Sequence, residues 1–402
     1  MYQPKNIKIL WILNGCGLVS NSITGGPLRF FEVSKRWKNQ TNIKQSLLTT
    51  SGGKQMLESM GIDLPVTQVR CSIIAQKEYH RLLRLWSYII SSITSILQLR
   101  KSEKLSKSDV VITASDYFCD IIPALFLKKK LKIKWIACIY HKETHPRNRP
   151  GNLVANYITW KIQEWSFKKI AKHADLAWLL DTAAGDEVEE RLLELGMEQS
   201  KIKKIAVGID LEKIQNSESA DKKVDAIMIG VRPNKGLYDI IPVWEEVLRL
   251  RPGTSLQLMG GMSGHEQVFK DIKNRHMDSY INLPEEKVSF IEPEKFYKRI
   301  KTGKIFFAPS HEEGWGIALC EAMACGLPVV AYNLPVYDRI YGGAFVPVKC
   351  FDTKDMAKNI VNILNDDSNF QTIRQAGFNC ANKYDWDKIA NDDLSDVLGL
   401  LK

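Results

Sequence analysis

The sequence predicts an α/β chain of two doubly wound parallel-sheet domains, and three stretches carry that prediction. Residues 305–332, IFFAPSHEEGWGIALCEAMACGLPVVAY, read as strand, glycine loop, helix and strand in succession. Residues 8–37 run in the same order of strand, glycine-rich loop and amphipathic helix. Between them, 213–223 (KIQNSESADKK) is polar and poor in apolar residues, and VDAIMIG at 224–230 then starts a second sheet. Strands alternating with helices at this spacing indicate parallel sheets covered by helices.

Taken in order, the apolar run 8–13 is the first strand. It ends in Asn14-Gly15-Cys16-Gly17, and a polar loop leads to Gly25-Gly26-Pro27-Leu28-Arg29. Phe30, Phe31, Val33 and Trp37 have helical spacing, so 29–37 reads as a helix. The glycines do not form a G-x-G-x-x-G fingerprint, which argues against a dinucleotide site. Residues 45–50 are a second strand. Residues 79–99 form a long helix with Leu82, Leu85, Trp86, Ile89, Ile93, Ile96 and Leu97 on one face. That face reads as core-facing, or as a surface that touches an anionic membrane. DVVITA at 109–114 is a buried strand. The helix 121–130 ends in lysines, as its dipole prefers. KWIACIY at 134–140 delivers His141 to the carboxyl end of its strand, where ligands of open parallel sheets bind. Helix and strand recur at 157–172, 175–180, 182–195 and 202–207.

In the second half, Arg232 and Lys235 lie in GVRPNKG, between a strand and the helix 237–250. Two cations beside a helix start can stabilise charge on a departing diphosphate. In 305–332, Pro309 stops the strand, Gly314 and Gly316 flank Trp315, and the helix-forming 317–325 ends at Gly326. The helix start offers unpaired N–H groups, and the glycines admit a ligand close to the backbone, which suits a phosphate. Glu313 and Glu321 flank this loop eight positions apart. A carboxylate can accept two neighbouring hydroxyls, as on a sugar or ribose. Helices at 352–364 and 368–383 follow. Asp385-Trp386-Asp387 opens a last helix, with Asp385 as its N-cap.

The chain has 402 residues, a net charge of +10, 45% hydrophobic and 25% charged residues, ordinary values for a globular protein. No apolar run is long enough for a transmembrane helix, and MYQPKNIKILWIL lacks a signal peptide's core, so a cytoplasmic location is expected. The eight cysteines are scattered, without a C-x-x-C pair, and read as reduced thiols. HKETH at 141–145 is not a zinc motif, and no metal site is expected. Basic clusters at 80–86 and 128–134 are either a solvated surface or a patch for membrane or ligand.

The pattern Glu313-(seven residues)-Glu321, set in SHEEGWGIALCEAMACGLPVVA, resembles the signature of glycosyltransferase family 4. Gly208-Ile209-Asp210, Arg232 with Lys235, and Gly25-Gly26 resemble further motifs of that family. In GVRPNKG the arginine stands one residue later than usual, behind Val231. The resemblance implies the GT-B fold, two Rossmann-like domains facing across a cleft. They would span 1–212 and 224–383, joined by a linker at 213–223, with a helix at 384–402 crossing back. It implies a retaining, metal-independent transfer of sugar from a nucleoside-diphosphate sugar to a hydroxyl acceptor, in cell-surface glycan or glycolipid assembly. No cofactor beyond that donor is implied. Glu321 would hold the ribose. Arg232, Lys235 and the backbone around Gly314, Trp315, Gly316 and Ile317 would take the diphosphate, with Gly25 and Gly26 nearby. Glu313 and His141 would address the donor sugar, and Ile291 would border the nucleobase. The acceptor would be a glycan, a lipid-linked sugar or another hydroxyl compound. An anionic membrane surface is a possible partner, and nucleic acid is not expected. An epimerase or phosphorylase on the same fold, or a non-catalytic basic binding protein, are the alternatives.

Overall fold

The computed structural model describes residues 6–15, 25–71, 81–149, 152–218, 221–284 and 293–402. The chain divides into two compact units. The first is Met1–Val207 together with Asp387–Lys402, and the second is Gly208–Trp386.

The first unit is built on a seven-stranded sheet: β1 (Ile7–Leu13), β2 (Ile43–Thr49), β3 (Val66–Gln68), β4 (Val110–Thr113), β5 (Lys134–Ile139), β6 (Leu176–Leu180) and β7 (Ile202–Ile205). Their order is β3-β2-β1-β4-β5-β6-β7, every pair parallel. The strands are short and apolar because both faces are covered: Leu10, Ile12, Val111 and Trp135 on one face and Ile9, Trp11, Ile112 and Ile136 on the other are all completely or almost completely buried. The order reverses beside β1, which places the switch point between β1 and β4.

The second unit has six strands: β8 (Val224–Val231), β9 (Leu256–Met262), β10 (Ile281–Asn282), β11 (Gly303–Ala308), β12 (Val329–Tyr332) and β13 (Val346–Val348). Their order is β10-β9-β8-β11-β12-β13, again all parallel. Here the switch point falls between β8 and β11. Helices Ile240–Leu250 and Thr353–Asn365 bury Trp244, Val247, Met356 and Ile360 against Ile305 and Phe307.

Several expectations need correction. The first helix starts at Gly25 rather than Arg29, and the glycine pair forms its first turn. Gly26 lies against the Tyr140 ring, where an added Cβ would come within 2.8 Å of Cε2. The polar stretch after 210 begins in a short helix, Leu211–Asn216, capped by Asp210 through the Lys213 amide and anchored by buried Leu211 and Ile214. The helix Arg81–Lys101 does not turn its apolar face inward. Ser87, Ser91, Ser92 and Ser95 are buried instead, while Trp86, Ile93 and Leu97 are 62%, 55% and 48% exposed. Among the described residues, no helix is long and apolar enough to cross a membrane.

The C-terminal helix Trp386–Leu401 brings Asp393 to Arg29, whose Nη2 donates to both carboxylate oxygens at 2.7 and 2.6 Å. Arg29 Nε also donates to the Ala206 carbonyl, and Trp37 Nε1 to the Ala390 carbonyl at 2.7 Å. These bonds join the first helix to the last.

Candidate functional site

The second unit places its chemistry where β8 and β11 end, the two strands flanking its switch point. β8 carries a bulge between Ile229 and Val231, with Gly230 at φ +88°. The chain then makes one 3-10 turn, Pro233–Lys235, and passes Gly236 at φ +81°. A Cβ on Gly236 would stand 2.1 Å from the Pro309 carbonyl oxygen, so only glycine lets this loop meet the loop after β11. The two loops are tied further. The amides of His311 and Glu312 donate to the Asn234 carbonyl, at 3.0 and 3.4 Å. His311 Nε2 lies 2.5 Å from Asp239 Oδ2.

This lacing brings Lys235 and Glu313 together. Lys235 Nζ forms an ion pair with Glu313 Oε1, and Ser310 Oγ donates to the same oxygen at 3.0 Å. Both charged side chains are largely buried, 17% and 9% exposed. A small cavity of about 10 Å³ lies behind them, floored by Met228 and Phe307, with room for a single water at most. Arg232, the other expected cation, is exposed and makes no side-chain hydrogen bond or ion pair among the described residues.

Beyond Glu313 the loop turns through Gly314, where a side chain would meet only open space, and Gly316 at φ +87°. A Cβ on Gly316 would lie 2.5 Å from the Tyr337 ring, and the Tyr341 hydroxyl donates to its carbonyl at 2.9 Å. The Trp315 ring is packed edge-on against Tyr384 and Tyr341, at 4.8 and 5.7 Å between centroids. Trp315 can therefore offer a ligand its backbone and not its ring. Helix Ile317–Ala324 starts here; the amides of Leu319 and Cys320 already donate to the Gly316 carbonyl, at 2.9 and 3.4 Å, which leaves those of Ile317 and Ala318 for a ligand. Glu321 sits one turn in. Its Oε1 accepts a bond from the Tyr297 hydroxyl at 3.0 Å. Part of the residue reaches solvent, but burial of the carboxyl pushes it up to about 7, against the opposing effect of the Tyr297 bond.

In the first unit His141 follows β5 at the carboxyl edge and is exposed. Its carbonyl accepts from Gln163 Nε2 at 3.0 Å, and the same nitrogen donates to Asp116 Oδ2 at 2.9 Å. Burial raises the Asp116 carboxyl, which the Gln163 bond and nearby His141 counteract. Asp120 accepts the amides of Asn14 and Gly15, at 2.6 and 3.2 Å, and so shapes the loop after β1. Burial pushes Asp120 up to about 7.

The structure thus brings Lys235, Glu313, Gly314 and Gly316 into one loop cluster, with Glu321 on the helix that follows. His141, Gly25 and Gly26 belong to the first unit. Ile291 lies outside the described residues. Sequence reasoning missed Tyr297, Ser310, Asp239 and Gln163. Of these only Ser310 left a signal, its three-residue spacing from Glu313, the pattern of a Ser-x-x-Glu capping pair.

Residues 210–379 match the family model described as glycosyl transferases group 1. Among curated proteins, the chain is 24% identical to the D-inositol 3-phosphate glycosyltransferase of Segniliparus rotundus, over 50% of this chain and 48% of that one. It is 23% identical to the GDP-mannose:cellobiosyl-diphosphopolyprenol alpha-mannosyltransferase of Xanthomonas oryzae pv. oryzae, over 61% and 65%. The chain therefore spans from about half to just under two thirds of these relatives' length. Among solved structures, sucrose-phosphate synthase from Thermosynechococcus elongatus superposes with a TM-score of 0.72 at 14% identity, over 98% of this chain and 99% of that one. Anabaena HepE in complex with UDP and glucose gives 0.67 at 15% identity, also over 98% and 99%. The fold is that of the GT-B glycosyltransferases, two parallel-sheet α/β units.

Proposed function

We propose, on the premise that residues 210–379 are a glycosyltransferase domain, that the whole chain transfers a sugar from a nucleoside-diphosphate sugar to a hydroxyl acceptor. The reading belongs to family 4: retention at the anomeric carbon, no metal, and a product in cell-surface glycan or glycolipid assembly. The observation that carries it is the joining of Lys235, Glu313 and a glycine-opened helix start at the β8/β11 switch point, with Glu321 one helical turn away.

Each group has a task. The N–H groups at Gly316 and Ile317 and the Lys235 ammonium take the diphosphate, with Arg232 free to swing toward it. Glu321 accepts the ribose hydroxyls. Glu313 exchanges its Lys235 partner for hydroxyls of the donor sugar. The acceptor oxygen bonds to the anomeric carbon as the bond from that carbon to the diphosphate oxygen breaks. The diphosphate leaves with the electron pair, and the acceptor's proton passes to a diphosphate oxygen. The Lys235 cation stabilises the charge that grows there. His141 is assigned to the transfer step in the first unit.

Titration calorimetry with uridine, guanosine and adenosine diphosphate sugars identifies the donor, and product analysis separates transfer from epimerisation or phosphorolysis. Glu321→Ala should weaken donor binding by roughly tenfold or more, the worth of a charged hydrogen-bond pair. Lys235→Ala should lower kcat by about a hundredfold or more, as loss of a charge-stabilising group does elsewhere. A Lys235→Ala variant that turns over at the parent rate would overturn the assignment.

A further inference from the structure

Helix Pro335–Tyr341 sets two tyrosines under the loop at Gly316, one turn apart and on one face. Both are buried, Tyr337 completely and Tyr341 almost so. Tyr341 has a visible task, since its hydroxyl donates to the Gly316 carbonyl at 2.9 Å. Tyr337 has none. Its ring fills the space that a Cβ on Gly316 would take, and the Tyr341 and Phe345 rings hold it, each with its centroid 6.0 Å away. Its hydroxyl is buried and has no hydrogen-bond partner among the described residues. A buried hydroxyl in that condition costs stability, and a phenylalanine would pack the same space without the cost.

The surroundings of that hydroxyl say what it is for. It stands beside Glu313 and Ser310. Burial, and then the Glu313 charge, hold the phenol well above its ordinary range, so it keeps its proton and faces the carboxylate as a donor. Glu313 is engaged at one oxygen only: Lys235 Nζ and Ser310 Oγ both meet Oε1, and among the described residues no hydrogen bond reaches Oε2. An ionised carboxylate can accept about four bonds, so acceptor capacity is left over next to a donor without an acceptor.

We infer that Tyr337 is a positioning residue for Glu313: its hydroxyl donates to the Glu313 carboxylate once a bound donor draws Lys235 away. The inference rests on the transferase reading, in which Lys235 goes to the diphosphate and Glu313 to the donor sugar. Losing the ammonium otherwise leaves a buried carboxylate with Ser310 as its one remaining partner, and a buried charge stripped of its counter-ion is strongly unfavourable. A phenol O–H turns about its C–O bond, so Tyr337 can make the new bond without moving its packed ring. With both hydroxyls donating, Glu313 keeps its charge and its orientation, and its other lone pairs stay open to sugar hydroxyls. Tyr337 is fully buried and does not touch the donor, so it acts through Glu313.

Calorimetry, turnover and thermal melts of the full chain test it, with whichever uridine, guanosine or adenosine diphosphate sugar binds the parent as the probe. Tyr337→Phe removes the hydroxyl and keeps the ring. The thermal midpoint of the ligand-free variant should stay at the parent's or rise above it, because an unpaired buried hydroxyl is lost. Binding of the sugar nucleotide should weaken roughly tenfold or more, as loss of a hydrogen bond to a charged group does, and kcat/KM should fall with it. In a Glu313→Ala background the same change should alter binding less than about twofold, because the two side chains act as one unit. Parent-like binding and turnover in Tyr337→Phe would overturn the inference. So would a lower midpoint of the ligand-free variant, which marks a bond already made at rest. So would an undiminished loss in the Glu313→Ala background, which marks an action that bypasses Glu313. Glu313→Ala by itself separates the two readings. If it binds and turns over like the parent, the assignment of Glu313 fails and that of Tyr337 with it. If it is impaired and Tyr337→Phe is not, only the role of Tyr337 falls.

Discussion

Glu321 shows how one side chain's surroundings set a testable pH response. Burial holds its carboxyl near 7, well above an ordinary glutamate. Below that pH it is neutral and can accept less strongly from paired hydroxyls. Above it, the carboxylate is charged and fully acceptor. Donor affinity should therefore rise as pH climbs through about 7, and Glu321→Gln should flatten that rise; calorimetry from pH 6 to 8.5 checks both. The stability contribution runs the other way. The folded chain holds the proton more tightly than the unfolded one, so stability from this residue is full below the ordinary glutamate range and is lost as pH rises toward 7. The spacing of Glu313 and Glu321 was readable in the sequence because loop, glycines and helix lie within one short stretch. The Tyr297 bond was not, since its hydroxyl comes from helix Pro293–Lys301, and only the packing of that helix decides where the ring points.

Elements were legible where the pattern was local, and misread where their surroundings decide. β8, β11 and β12 could each be read from a short apolar run, whereas the two-residue β10 could not. Periodicity also grouped the residues of helix Arg81–Lys101 correctly, but it reports which residues share a face and not whether anything covers that face. The four buried serines opposite Trp86 were the overlooked sign. The ends of the first unit's helices tell a similar story. In the sequence Arg29 is only the basic residue after a Gly-Gly pair, yet it is 2% exposed and bound to Asp393, more than 360 positions away. No local pattern pairs them. Removing one member of a buried ion pair strands the other charge, so Asp393→Asn should cost about 3–5 kcal/mol in urea unfolding of the full chain. Arg29→Met combined with Asp393→Leu should recover much of that loss, because two apolar groups leave no charge stranded. Equal instability of the single and double variants would count against this account.

At the scale of the whole chain, the second unit is an insertion whose two ends meet. Ile209, at its start, bridges in parallel to Asp385, at its end. The Ile209 amide donates to the Tyr384 carbonyl at 2.8 Å, and the Trp386 amide to the Ile209 carbonyl at 3.1 Å. The chain enters and leaves this unit side by side, so its sheet, its core and the Lys235–Glu313–Glu321 cluster are all contained between residues 208 and 386. The first unit is in two pieces, because Asp387–Lys402 supplies the partners of Arg29 and Trp37. Excision should therefore be asymmetric. A 208–386 fragment should fold on its own and bind nucleoside diphosphate within about tenfold of the full chain, since none of the second-unit groups assigned to the nucleotide is removed. A 1–207 fragment should be destabilised by the stranded Arg29 and the uncovered Trp37 face, and adding a 387–402 peptide should raise its unfolding midpoint in a concentration-dependent way. Circular dichroism melts and calorimetry on the two fragments decide the matter. A 208–386 fragment that folds but does not bind any nucleotide would place an essential donor contact in the first unit.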